Sequence, residues 1–331
     1  MPRTNYQLEN EDHLSRRDGE RSLEVPRHET LWFDDGSVVL IAGNTQFRVH
    51  KSVLACKSVV FQDLFTVPQP DDAQTVEGCP AVHLTDSAED LEDVLDVLYH
   101  GLRYKSSNDP TWRMVRAFLR ISDKYTMDEI RKEALYHLNI YAPDNTEDWD
   151  AIFTGSTSCI SYEPWEEIDI ANNTREPDLQ HIHAVALYNC CHLPTKTLIL
   201  GGTDMYSDAR IELSRDDLVA CVTARERLRI ATSDILKQAL RCNLSYTCTG
   251  SNCFTARNSA IHSWRDMDLP LYDPLAMTEV DARTRYQVAG VCEPCVEVLV
   301  GLHQTARQNI LDKLPTYFEE ELEETDVNPQ A

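Results

Sequence analysis

The chain has 331 residues, with 55 acidic against 31 basic side chains, a formal net charge of −24, and a composition that is 42% hydrophobic and 8% aromatic. Its length and apolar content suit two domains with buried cores, and its acidic field repels phosphate backbones, which excludes nucleic-acid binding through a broad basic surface. No apolar run reaches the roughly 18 residues of a membrane span and no basic-then-apolar leader opens the sequence, so an intracellular protein without a membrane partner is expected, cytoplasmic or nuclear, whose 11 cysteines are thiols or metal ligands rather than disulfides.

Residues 1–29 are rich in charge and poor in apolar groups, the composition of a disordered arm. Ser37–Ala42 (SVVLIA) reads as a strand, Gly43-Asn44 as a turn that tolerates positive φ, and Thr45–Val49 (TQFRV) as the returning strand, with Phe47 and Val49 on its buried face. His50–Ala55 has the length of a short helix. Ser58 is placed to cap a second helix, Val59–Phe65, which turns Val60, Phe61, Leu64 and Phe65 towards a core. Val38, Leu40, Phe47, Leu54, Phe61 and Phe65 are the expected core contributors of this stretch.

Residues 66–80 read as a loop and Ala81–Leu84 as a short strand. Ser87 to Asp90 has the pattern of a capping box before a helix carrying Leu91, Val94, Leu95 and Leu98, which Gly101 ends. Asp109-Pro110 is read as N-cap and first helical position of Thr111–Tyr125, with Trp112, Val115 and Leu119 on one stripe. Thr126 and Glu129 suggest another capping box, before a helix Met127–Ile140 that buries Met127, Ile130, Ala134 and Leu138. Pro143 closes the unit.

The remainder reads as mainly helical. Helices are predicted over Thr146–Phe153, from Pro177 to about Cys191, over 215–241 behind a cap at Ser214, and over Glu293–Leu314; residues 154–175 read as irregular, and 319–331 as an acidic disordered tail. No internal repeat of kelch, ankyrin or zinc-finger spacing is present.

The order strand, strand, two short helices, strand, three longer helices, with FRVHKSVLACKSVVFQDLF at 47–65, resembles the BTB/POZ family over roughly residues 30–141. The wording is most similar to the BTB proteins of mushroom-forming fungi, which carry a helical C-terminal half. The resemblance implies an α+β fold: a BTB/POZ domain over 30–141, a small sheet with a helical bundle, then a mainly α-helical domain over 142–318. It makes His50, Leu54, Ser58, Phe61, Asp63 and Phe65 the motif residues, with His50 structural at the strand-to-helix corner. Asp63 is either close to a dimer surface, as the family uses that helix, or a solvated helix charge. The resemblance also implies a non-enzymatic interaction protein that self-associates as a homodimer and recruits protein partners, including the cullin scaffold of a ubiquitin ligase for which it would be a substrate adaptor. The alternative is a BTB-type transcriptional regulator acting through protein contacts. An enzyme in the helical half ranks below both.

The residues themselves offer one candidate for inorganic chemistry. Cys248 and Cys253 are four residues apart in the spacer, Cys292 and Cys295 two, and the pairs are separated by about 40 residues; four thiolates so spaced suit a structural zinc site. The competing reading is four buried small hydrophobes, and Cys242, His262 and His303 are spare ligands. Cys190-Cys191 are adjacent, so one is expected in the core and one on the surface; His181 and His183 point to different sides of a helix and share no metal. No phosphate-cradling glycine loop, zincin motif or nucleophile elbow occurs, so neither a catalytic nor a cofactor-binding residue is assigned. Asp34-Asp35 and Asp216-Asp217 read as turn and helix-start residues.

Overall fold

A computed structural model describes residues 25–68, 74–101, 110–204, 209–265 and 273–319. The chain divides into two compact units, one of residues 1–51 with 68–88 and one of residues 52–67 with 89–331.

The first unit is a five-stranded mixed sheet of β1 (Arg27–Trp32), β2 (Val38–Ala42), β3 (Thr45–Val49), β4 (Thr75–Val76) and β5 (Cys79–Leu84), in the order β1-β3-β2-β5-β4. The central strand β2 is an unbroken apolar run, VVLIA, and is buried throughout; such runs suit strands covered on both faces. It pairs antiparallel with β3, from Val38–Val49 to Ala42–Thr45, and parallel with β5. Gly43 supplies the turn with φ +50. In β3 only Phe47 and Val49 are buried, as the alternation of TQFRV predicts. On one face of the sheet Val39, Ile41 and Cys79 pack with Val25, Trp32, Val76 and Ala81.

One strand departs from the sequence reading. β1 begins at Arg27, inside the segment expected to be a disordered arm, and pairs parallel with β3. Of its residues only Leu31 is buried. Its place rests on backbone pairing and on Arg27, which stacks over Trp32 at 4.6 Å and pairs with Glu77; an apolar pattern has no way to report such a strand. The expectations for residues 1–24 and 320–331 lie outside the described residues.

The second unit is helical. Its first helices are α1 (Lys51–Lys57), α2 (Val59–Thr66), α3 (Ala88–His100), α4 (Trp112–Tyr125) and α5 (Asp128–Tyr141). They continue with α6 (Thr146–Phe153), α7 (Glu166–Asn173), α8 (Gln180–His192), α9 (Thr195–Leu200) and α10 (Arg215–Arg241). The last three are α11 (Cys253–Arg265), α12 (Glu279–Val288) and α13 (Glu293–Asp312). A 3₁₀ turn, Pro177–Leu179, leads into α8, another, Leu314–Tyr317, follows α13, and β6 (Gly202–Thr203) pairs with β7 (Arg210–Ile211).

Several local expectations need correction. Thr111 caps α4, its side chain accepting from Met114 N–H; Asp109, the predicted cap, lies outside the described residues. Thr126 caps no helix start: at φ +51 it ends α4, and α5 begins behind Met127 without a side-chain cap. Glu129 instead reaches Lys57 at 2.5 Å. The segment read as irregular contains α7, whose buried face includes Ile168, Ile170 and Ala171 but also Glu167 and Asp169; those acids conceal the apolar period. Helices α9, α11 and α12 are further additions to the predicted elements. Cys190 and Cys191 are both buried, because α8 is surrounded: Ile182 and every residue from Ala184 to Tyr188 are buried as well. By contrast α6 and α10 have the predicted bounds, and Ser214 caps α10 by accepting from Asp217 N–H.

Candidate functional site

The motif residues at 50–65 form a chain of local supports. His50 Nε2 lies 3.1 Å from Asp35 Oδ1, and its ring is 5.4 Å from that of Phe33. Next to it Lys51 N–H donates to Ser37 Oγ at 3.0 Å. Asp35 sits in the turn before β2, so the aspartate read only as a turn residue also holds the corner histidine.

In the helical unit Leu54 and Phe61 are fully buried. Ser58 Oγ accepts from Phe61 N–H at 3.0 Å and donates to the Tyr125 carbonyl at 2.5 Å. One hydroxyl thus caps α2 and ties it to the end of α4. Phe61 stacks on Tyr125 with centroids 4.5 Å apart and on Phe65 at 5.8 Å. Phe65 and Leu64 are half-buried, and Val60, expected inward, is 39% exposed beside Val59 at 58%. Asp63 is exposed. Val59, Asp63 and Val67 follow at intervals of four, so α2 turns an apolar stripe with one central carboxylate to solvent.

The four predicted cysteines come together. Cys253 is the first residue of α11; Cys292 is the N-cap of α13, and Cys295 lies in its first turn. Cys248 comes from the loop before α11, where its N–H donates to Ser245 O at 3.1 Å. All four sulfurs lie within 4.8 Å of one another, and Cys248 Sγ is 3.7 Å from Cys292 Sγ. All are free thiols. Cys253 and Cys295 are buried, Cys292 is half-buried and Cys248 is exposed. Cys253 Sγ accepts from Cys292 N–H at 3.3 Å. Burial opposes ionisation of Cys292, but the backbone N–H groups of Cys295 and Thr249 and the thiols of Cys253 and Cys295 outweigh it and bring it down to about 5. Burial and the neighbouring Cys248 and Cys292 push Cys295 up to about 12.

The spare ligands stay apart. His303 is buried with Nε2 3.0 Å from Met277 O, and burial pulls it down to about 4. Cys242 Sγ donates to Ala239 O, and His262 is exposed. His181 and His183 face different carbonyls, those of Pro143 and Ala171.

Two features were missed in the sequence. Gly250 lies between the first two cysteines; a Cβ there would come within 2.4 Å of Cys253 Sγ. The glycine beside a cysteine pair was the available signal. The second is a buried polar junction: Trp112 Nε1 donates to Asp169 Oδ2 at 2.8 Å, and Arg116 Nη1 bonds Asp169 at 2.9 Å and Asp204 at 3.3 Å. Nothing in the spacing of these residues announces it.

A mixed sheet in one unit and a capped short-helix pair with longer helices in the other give an α+β chain. Residues 29–139 match the family model of the BTB/POZ domain, and the protein carries a BTB/POZ domain over that stretch, followed by a helical C-terminal half. A search of curated proteins found no match. BTB/POZ domains serve protein–protein interaction, and that general role holds for this chain. Among the described residues no helix is long and apolar enough to cross a membrane.

Proposed function

We propose that this protein is a non-enzymatic, intracellular interaction protein whose BTB/POZ domain self-associates and recruits a second protein, with the cullin scaffold of a ubiquitin ligase as the partner class and the helical half as the part that captures a client. The observation carrying this reading is the solvent-facing stripe of α2, in which Val59 and Val67 are 58% and 59% exposed and flank the Asp63 carboxylate. Apolar side chains on a helix held in place by the Ser58 cap favour a protein surface as partner, because covering them releases about 25 cal/mol per Å² of apolar area. The acidic balance of the chain suits a partner with basic side chains around that stripe.

Two measurements test it. Light scattering behind size exclusion, over micromolar concentrations of the full chain, is expected to give a dimer; a monomer throughout defeats self-association. Pull-down with a cullin N-terminal fragment is expected to succeed with the wild type and to weaken at least tenfold with Val59→Glu/Asp63→Lys. No capture by folded wild-type protein removes the adaptor role and leaves regulation through other protein contacts.

A further inference from the structure

We infer that Cys248, Cys253, Cys292 and Cys295 hold one zinc ion, which fastens the loop before α11 and the starts of α11 and α13 to one another. Zinc bound by four thiolates has metal–sulfur bonds of about 2.3 Å, which makes the sulfur–sulfur edges of a regular tetrahedron about 3.8 Å. The Cys248–Cys292 edge is 3.7 Å, and no pair exceeds 4.8 Å. Disulfide pairing would instead draw sulfurs to about 2.05 Å, and all four are free thiols.

Simple packing does not account for the whole cluster. Cys253 and Cys295 belong to a hydrophobic core with Ala256, Tyr286, Val296 and Leu299. Cys292 is half-buried at the edge of that core, but Cys248 is exposed and is not placed by apolar burial, yet its sulfur lies within 4.8 Å of the other three. The backbone fits as well. Helix starts carry unpaired N–H groups and the positive end of the helix dipole, both of which favour thiolate over thiol. Cys253 begins one helix and Cys292 caps another, and the Cys292 N–H already points at Cys253 Sγ. At Gly250 any side chain would enter the cluster: its Cβ would meet Cys253 Sγ at 2.4 Å and Cys292 Cβ at 3.4 Å.

Four protein sulfurs leave no open coordination position, so the ion's role is structural. On binding, each cysteine that is still a thiol gives its proton to solvent, so affinity falls as pH falls. The loop from Asn243 to Asn252 forms no helix or strand, and its Tyr246 is fully exposed; little apolar burial holds it, and the metal supplies the missing constraint.

The test uses the full chain purified without chelators. Elemental analysis is expected to find one zinc per chain. Refolding with cobalt(II) in place of zinc should give the intense visible bands of a tetrahedral site and near-ultraviolet sulfur-to-cobalt charge transfer. Cys248→Ser, at an exposed position, should lower metal affinity at least tenfold while Cys56→Ser leaves it unchanged. Well below one zinc per chain in folded protein, with the exposed Cys248 and half-buried Cys292 reacting freely with a thiol reagent, overturns the inference. Stoichiometric iron in place of zinc overturns the metal assignment, and unchanged affinity in Cys248→Ser overturns the ligand set. None of these outcomes bears on the BTB/POZ reading, which concerns other residues.

Discussion

Arg116 of α4 and Asp169 of α7 meet at 2.9 Å in the interior of the helical unit, the first inside the stretch that matches the BTB/POZ model and the second outside it. The side chains are only 11% and 6% exposed, and the same carboxylate accepts from the Trp112 indole. The helices of the BTB match and the first helices beyond it therefore share a buried polar junction.

Removing the acid leaves a buried guanidinium and a buried indole N–H without their main partner. Breaking a buried pair from one side costs about 3 kcal/mol or more. Asp169→Ala should lower the urea midpoint accordingly, whereas Glu226→Ala, in the exposed Glu226–Arg229 pair, should leave it unchanged. Equal midpoints for the two variants would show that the junction contributes nothing.

Glu167 gives a pH dependence with a definite sign. It is 4% exposed and accepts from the Tyr141 hydroxyl. Burial raises it to about 7, against the hydrogen bonds of Tyr141, Tyr162 and Asn189, which act to lower it. A carboxyl raised on folding binds its proton more tightly in the native state, so its contribution is whole below the unfolded value near 4.5 and is lost as pH rises to about 7. The shift corresponds to about 3 kcal/mol. Denaturation of the wild type from pH 4.5 to 7.5 should show this decline relative to Glu167→Gln, in which no proton is exchanged. Parallel pH profiles for the two proteins would contradict it.

Gly201 and Gly290 separate two costs of a side chain. Both have positive φ, +72 and +87. A Cβ on Gly290 meets nothing within 4 Å, while one on Gly201 would lie 2.0 Å from the Ile211 carbonyl oxygen, across the β6–β7 pair. Gly290→Ala should therefore cost only the left-handed conformation, about 1 kcal/mol. Gly201→Ala must also move backbone and should cost at least about 2 kcal/mol more. Thermal unfolding of the two variants reads the difference directly, and equal losses would mean that the backbone beside Ile211 yields freely.

Near-neighbour chemistry is legible along the chain. The VVLIA run, the Gly43-Asn44 turn and the caps at Ser58 and Ser214 each carry their physical reason within a few residues. Other features depend on contacts between distant segments. β1 is held by backbone pairing to β3, α7 hides its period behind the buried acids Glu167 and Asp169, and Cys191 is buried because α8 is enclosed on all sides. Val60 came out exposed for the same kind of reason: helical spacing identifies an apolar stripe, but only packing decides which part of it is covered. Gly250 and the N–H of Cys292 converge on Cys253 Sγ from positions far apart in the chain, so the spacing of the cysteines could suggest a cluster, and only the fold brings the four sulfurs within 4.8 Å of one another.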